Sequence, residues 1–287
     1  MKVLVTGSEG FLGKHVSAAL KANGHQVVGL DLAPPADFLA DITKVQPFMQ
    51  VDAVIHLAAV ASPNVCTANP ALAFQVNVLG TQQVLRLALE SGARKFVFSS
   101  SAHVYQIPPL YYPSDEVHPL RLGNTYTTTK ILGEELCRLY FENHGLSFTT
   151  LRLFNVYGPG QSLGYLIPDL IAKAERGRIE LQGSNVTKDW VYVFDVADAF
   201  VKALSSDFVG SINIGTGVET DLGTIAQIVA RAYKVELDAH AAAIPTRMQC
   251  DRQRAERILR WCPTVDIWEG LHATLDHAKS TLISAQS

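Results

Sequence analysis

"KVLVTGSEGFLG", residues 2–13, runs from an apolar stretch into three glycines set three residues apart. "KVLVTG" (2–7) is the short continuous apolar run that a parallel strand needs when both of its faces are buried. "FLGKHVSAALKANG" (11–24) then places Phe11, Leu12, Val16, Ala19 and Leu20 at helical spacing, and Gly24 stands where a helix would stop. Between strand and helix lie Gly7, Gly10 and Gly13. Glycine permits the tight turn and lets a ligand come close to the backbone, while the unpaired N–H groups of the helix start favour negative charge. The stretch therefore predicts the opening of a βαβ unit with a phosphate-binding turn.

The second strand, "QVVGLD" (26–31), ends on Asp31, 18 residues after Gly13. A carboxylate there accepts both ribose hydroxyls of NAD and repels a 2′-phosphate, so NAD is expected over NADP. Farther out, "DAVIHLAA" (52–59) reads as a third strand, 70–92 as a long helix and "KFVFSS" (95–100) as another strand. Segment 105–119 holds four prolines and reads as a loop. Residues 125–145 read as a helix and "SFTTLRLFNVYG" (147–158) as one strand. This alternation predicts an α/β fold, a Rossmann-type doubly wound parallel sheet with right-handed crossovers. After Gly158 the alternation loosens into a helix at 165–177, a strand turning into a helix at 189–206, a short strand at 211–217 and a helix at 224–234. We expect an NAD-binding domain over 1–160, rejoined by 189–215. A smaller C-terminal α/β substrate region, 161–188 and 216–287, would lie over the carboxyl edge of the sheet.

With 287 residues the chain can bury a sizeable core, and its 48% apolar and 18% charged content fits an ordinary globular protein. A net charge of −3, with no stripe of lysine or arginine, argues against nucleic acid as partner. No apolar run approaches the ~18 residues that cross a bilayer. The N-terminus reads directly as a strand, so a cytoplasmic protein away from membranes is expected. Cys66, Cys137, Cys250 and Cys262 have neither metal-ligand nor redox spacing and read as buried thiols in a reducing compartment. The histidines and acids form no metal-binding pattern.

"YTTTK" (126–130) puts a phenol and an ammonium one helical turn apart, on one face. The three threonines between them are not chosen for helix propensity. An ammonium one turn away favours the phenolate, as does the positive ring of oxidised nicotinamide, so Tyr126 is expected to be lowered toward working pH, fit to act as a general base.

Taken together, the glycine spacing, "HLAA" (56–59), Asn77, "FSSSAHVY" (98–105), "YTTTK" and "LRLFNVYGPGQ" (151–161) resemble the extended short-chain dehydrogenase/reductases. The branch is the NAD-dependent nucleotide-sugar epimerase/dehydratase group, the UDP-galactose 4-epimerase-like proteins. The resemblance covers essentially the whole chain and is strongest to about residue 200. It implies a catalytic set of Ser101, Tyr126 and Lys130. On the cofactor side it implies Gly7, Gly10, Phe11, Leu12 and Gly13, then Asp31, Asp41, Ile42, Leu57, Ala58, Ala59, Asn77, Ser99 and Phe154, with Tyr126 and Lys130 again. On the substrate side it implies Ser101, Asn155 and Leu166 holding a nucleoside-diphosphate sugar.

The chain departs from the group's pattern at several positions. Dehydratases of the group place an acidic pair after the catalytic hydroxyl; here stand Ala102 and His103, which disfavours elimination of water. His103 is a candidate for substrate contact or proton donation. Lys188 replaces an arginine of the diphosphate grip, and Arg247 is the remaining diphosphate candidate. Gln182 stands where an aromatic often stacks on the base, so the nucleobase is open. The resemblance favours a nucleotide-sugar 4-epimerase, with a 4-keto-sugar reductase as the alternative and a silent dinucleotide-binding module behind both. Helices 70–91 and 126–143 are apolar on more than one face, and members of the group pair them into a homodimer.

Overall fold

A computed structural model describes residues 1–46 and 49–286; positions 47, 48 and 287, which fall inside the two expected regions, lie outside the described residues. In chain order the first half contains β1 (Lys2–Thr6), α1 (Phe11–Ala22), β2 (Gln26–Asp31), β3 (Phe38–Leu39) and β4 (Ala53–His56). Two short helices follow, α2 (Pro63–Ala68) and α3 (Pro70–Phe74), then a π-helical stretch (Gln75–Gly80) and α4 (Thr81–Glu90). β5 (Lys95–Ser101), a 3₁₀ turn (Ala102–Val104), α5 (Thr125–His144) and β6 (Ser147–Leu153) complete that half.

β1 is apolar without alternation because it is buried on both faces. Val3 and Val5 join one core with Val16, Leu20, Ile55, Val97, Leu151, Phe200 and Trp261. Leu4 joins the other, with Val54, Val84, Leu85, Phe96, Cys137 and Phe148. These two cores are the layers on either side of a seven-stranded sheet ordered β10-β6-β5-β4-β1-β2-β3, where β10 is Gly210–Ile214. Every pairing in it is parallel, as the strand–helix alternation predicts.

The stretch 147–158 is not one strand. β6 leaves the large sheet at Leu153, and after Phe154 the chain starts β7 (Asn155–Tyr157) in a second sheet. There β7 lies parallel to β9 (Thr187–Tyr192), which pairs antiparallel with β11 (Glu219–Asp221). Period-2 patterning cannot show a change of partner, because the apolar run continues through it. Helix 70–92 is likewise interrupted by the π-helical stretch, which places Asn77 against the loop after β4.

The second half continues with α6 (Leu166–Glu175), β8 (Arg178–Gln182), α7 (Val193–Leu204), α8 (Leu222–Tyr233) and β12 (Glu236–His240), with β12 parallel to β8. Helices α9 (Gln253–Leu259) and α10 (Ile267–Gln286) close the chain. α7 packs on α1 below the large sheet. A third core of Tyr157, Ile167, Leu170, Trp190, Ile225, Val229 and Leu271 holds the small sheets and α6, α8 and α10 together. Three cysteines are buried as expected; Cys262 is exposed, since it follows α9 at the surface. No described helix is long and apolar enough to cross a membrane.

Candidate active site

A cleft of about 860 Å³ opens at the carboxyl ends of β1, β2, β4, β5 and β6 and is walled on the far side by residues 153–166, Lys188 and Trp190. It lies where an open parallel sheet exposes its strand ends, beside the glycine turn.

The turn is built so that no side chain fits. Gly7 has φ +73°, and a Cβ there would lie 2.7 Å from the Ala58 backbone nitrogen. A Cβ on Gly13 would overlap the Gly7 carbonyl oxygen at 1.9 Å. Gly10 caps α1 with no side-chain acceptor, and the first turn of α1 carries no acidic residue, so its N–H groups face a ligand rather than a neighbour. Asp31, on the same rim, holds the turn by accepting the Glu9 N–H at 2.9 Å through Oδ2, while Oδ1 accepts the Ala33 N–H at 3.1 Å. Each oxygen keeps a lone pair for a ribose hydroxyl. These features fit a dinucleotide: a backbone cradle for pyrophosphate and a carboxylate for ribose. Phe11, Leu12, Asp41, Ile42, Leu57, Ala58 and Ala59 line the same end. Asp41 is held below the ordinary carboxylate range by the Thr43 N–H and hydroxyl.

The inner end carries the reactive groups. Asn124 caps α5 by accepting the Thr127 N–H at 3.0 Å, and Thr127 Oγ1 accepts from the Asn124 N–H at 3.0 Å. Thr129 Oγ1 accepts from Asn77 at 3.0 Å and donates to the Tyr126 carbonyl at 2.8 Å. Two of the three threonines are thus placed by hydrogen bonds that begin the helix and dock it. Tyr126 and Lys130, one turn apart, are both buried. Lys130 Nζ donates to the Ser99 carbonyl at 2.8 Å and stands 5.9 Å from the centroid of the Tyr126 ring. Ser101, Ser99, His103, Phe154, Asn155, Leu166 and Lys188 line the same end, with Gln161, Ser162 and Tyr165, which the sequence did not single out.

The ammonium by itself does not lower Tyr126. Burial pushes the phenol up to about 12, against the pull of the Ser101 hydroxyl. Burial also drives Lys130 down to about 8. Taking either group out of water costs its charged form more than the other returns across this distance.

Two predicted residues fall outside the cleft lining. Asn77 is saturated: its Oδ1 accepts the Val60 N–H at 2.8 Å, and its Nδ2 donates to the Val60 carbonyl at 3.1 Å and to Thr129. It ties the loop after β4 to α5. Arg247 is half-exposed, paired with Glu219 at 2.5 Å and stacked 4.5 Å over the Tyr112 ring. Lys188 has no carboxylate partner among the described residues and faces the cleft.

Beneath the cleft lies a buried polar network. Ser100 Oγ donates to Glu134 Oε1 at 2.5 Å, and Arg152 grips Glu134 through Nε at 3.0 Å and Nη2 at 2.7 Å. Arg152 Nη1 reaches the Tyr105 hydroxyl at 3.2 Å and the Glu116 carbonyl at 3.1 Å. Glu134 is one turn beyond Lys130, so the network anchors α5 to β5 and β6. An arginine inside the apolar run "TLRLF" (150–154) was the signal that a buried partner had to exist.

The sequence profile of the NAD dependent epimerase/dehydratase family matches residues 3–215. The chain is 32% identical to a putative UDP-glucose 4-epimerase of Methanocaldococcus jannaschii, over 97% of this chain and 98% of that one. It is 30% identical to UDP-glucuronic acid decarboxylase 6 of Arabidopsis thaliana, over 94% and 87%. The crystal structure of Thermus thermophilus UDP-glucose 4-epimerase in complex with NAD superposes with a TM-score of 0.86 at 28% identity, covering 97% of this chain and 99% of that one.

Proposed function

The chain belongs to the NAD dependent epimerase/dehydratase family, an NAD-dependent enzyme class, and from that premise we propose that it is a nucleotide-sugar 4-epimerase with Tyr126 as base. The observation that carries the reading is the placement of Ser101, Tyr126 and Lys130 at the inner end of a single cleft whose outer end is the glycine turn. The cleft would hold NAD, which when bound would supply the hydride chemistry at the sugar C4 and a positive ring charge. Tyr126 removes the proton of the C4 hydroxyl and later returns it. Ser101 hydrogen-bonds the same oxygen and steadies it as charge develops. Lys130 orients the cofactor ribose and adds positive charge on the phenol's own helix face. Ala102 and His103 stand where elimination of water would need an acidic pair, and neither is a carboxylic acid. Asn155, Leu166 and Lys188 hold the sugar nucleotide, with Lys188 as the diphosphate's cation.

The purified protein should retain NAD and convert a UDP-hexose to its C4 epimer with no cofactor added. Consumption of NADH in step with product would assign a 4-keto-sugar reductase instead and overturn the epimerase reading.

The working unit is a homodimer. Leu72, Phe74 and Leu79 on one helical run, and Leu132, Leu139 and Phe141 on α5, are exposed side chains of adjoining helices. Light scattering at micromolar concentration should give twice the chain mass. Its free thiols suit a reducing compartment, the cytoplasm.

A further inference from the structure

Ser101 Oγ is held by two groups of one residue. The His103 backbone N–H donates to it at 3.2 Å, and His103 Nδ1 stands 3.1 Å away. The cause is local. Ser101 caps the 3₁₀ turn 102–104 from extended backbone, and the turn brings residue 103 back over its own cap. The His103 ring also meets the Tyr126 ring edge-on, 6.4 Å between centroids, and its other side borders the cleft. Lys188 of β9 acts on it through its charge, and Lys130 of α5 and Tyr165 at the head of α6 line the same cleft. Burial first, then the Lys188 cation, lower its pKa to about 4, so the ring is neutral at pH 7.

A neutral imidazole carries one N–H and one lone pair. Ser101 Oγ has one proton to give and already accepts the backbone N–H. When Nδ1 carries the ring proton it donates to Oγ, and the serine proton is free for the phenolate or a substrate oxygen. When Nδ1 is bare it takes the serine proton. The ring tautomer therefore decides where that proton goes.

We propose that His103 is a positioning and relay residue, passing a proton between the Ser101–Tyr126 pair and the cleft by way of Ser101 Oγ, Nδ1 and Nε2. This rests on Tyr126 being the base. In one direction the Tyr126 O–H gives its proton to Ser101 Oγ, and the Ser101 hydroxyl gives its own to Nδ1. The Nε2 proton leaves to water or to a substrate oxygen. The reverse sequence reloads the phenol, and no electrons move. The phenol can thus be discharged or recharged while a substrate covers it.

Tyrosinate absorbance of the NAD-bound protein, with each variant's Tyr126→Phe double subtracted, gives the Tyr126 midpoint with no sugar present. His103→Ala and the volume-filling His103→Leu remove the donor to Oγ and should raise that midpoint by about half a pH unit or more. His103→Asn, whose amide can donate, should hold it near wild type. With a nucleotide sugar that is turned over, all three should lower kcat about tenfold, with KM and NAD content unchanged. Imidazole should restore the alanine variant and not the leucine one. An unmoved midpoint in both His103→Ala and His103→Leu overturns the relay. Failure of wild type to turn over any nucleotide sugar sinks the proposed function, and the midpoint still decides the relay.

Discussion

The two ends of the cleft are made of different material. The outer end is backbone: a glycine turn, an uncapped helix start and the Leu57–Ala59 loop, packed too closely for any side chain to intrude. The inner end is side chains delivered from several elements: Ser101 from β5, Tyr126 and Lys130 from α5, Asn155 from β7 and Lys188 from β9. A backbone site tolerates no added atom. A side-chain site tolerates exchange at any one position, and its chemistry shifts with each. The glycine-turn half is therefore the constrained one and the side-chain half the adjustable one.

The sharpest way to break this contrast is Gly13→Ala. Its Cβ would overlap the Gly7 carbonyl, which only backbone movement can relieve. We expect loss of bound NAD and about 3 kcal/mol or more of stability, read by nucleotide release and urea unfolding. Survival of bound NAD would show that the turn yields. Next comes Tyr126→Phe, which leaves the backbone untouched: kcat should fall ~10²–10⁴-fold with NAD retained, in single-turnover assays.

Third is Arg152→Met, at the seam between the halves. It strands the buried Glu134 carboxylate and should cost about 3–5 kcal/mol in denaturant melts; a cost near zero would mean that the pair does not anchor α5. Fourth is pH. Lys130 is lowered from 10.5 to about 8, so between those values the unfolded chain holds the extra proton. On that account stability rises with pH across this window, and the penalty is fully present below it. Affinity for NAD moves oppositely, because the ammonium is lost; calorimetry should show about tenfold weaker binding at pH ~9.5 than at pH ~7.5. The smallest effect separates a cation inside the cleft from one outside it. Lys188→Ala should raise KM about tenfold, whereas Arg247→Ala, outside the cleft, should change it less than about twofold.

The backbone end was the legible one. Glycine is a residue chosen for geometry, so three of them at a strand–helix junction, with Asp31 beyond, disclosed the fold and the cofactor together. "YTTTK" disclosed by spacing alone which face of α5 lines the cleft. Its electrostatics were not legible, because the charge of a phenol depends on burial, and burial depends on loops that meet α5 from distant parts of the chain. The change of sheet at Phe154 was hidden for a similar reason: strand patterning reports faces, not partners. The bonds of Asn77 to Val60 and Thr129 were hidden, since a polar residue in a helical run does not say which loop it will hold. The pairing of Arg247 with Glu219, 28 positions earlier, was equally hidden, because it needs β11 and the 246–247 segment both to meet β9.

The π-helical stretch at Gln75–Gly80 has a consequence in the arithmetic of the chain. It is wound wider than the helices on either side, so it stores the equivalent of one surplus residue. Losing a single codon there would let the winding close to the regular pitch, with α3 and α4 keeping their phase but the residues of the stretch itself displaced. Asn77 would swing off Val60, and the bridge from the loop after β4 to α5 would part. The register of that one stretch, more than the identity of its residues, keeps the two ends of the cleft in step.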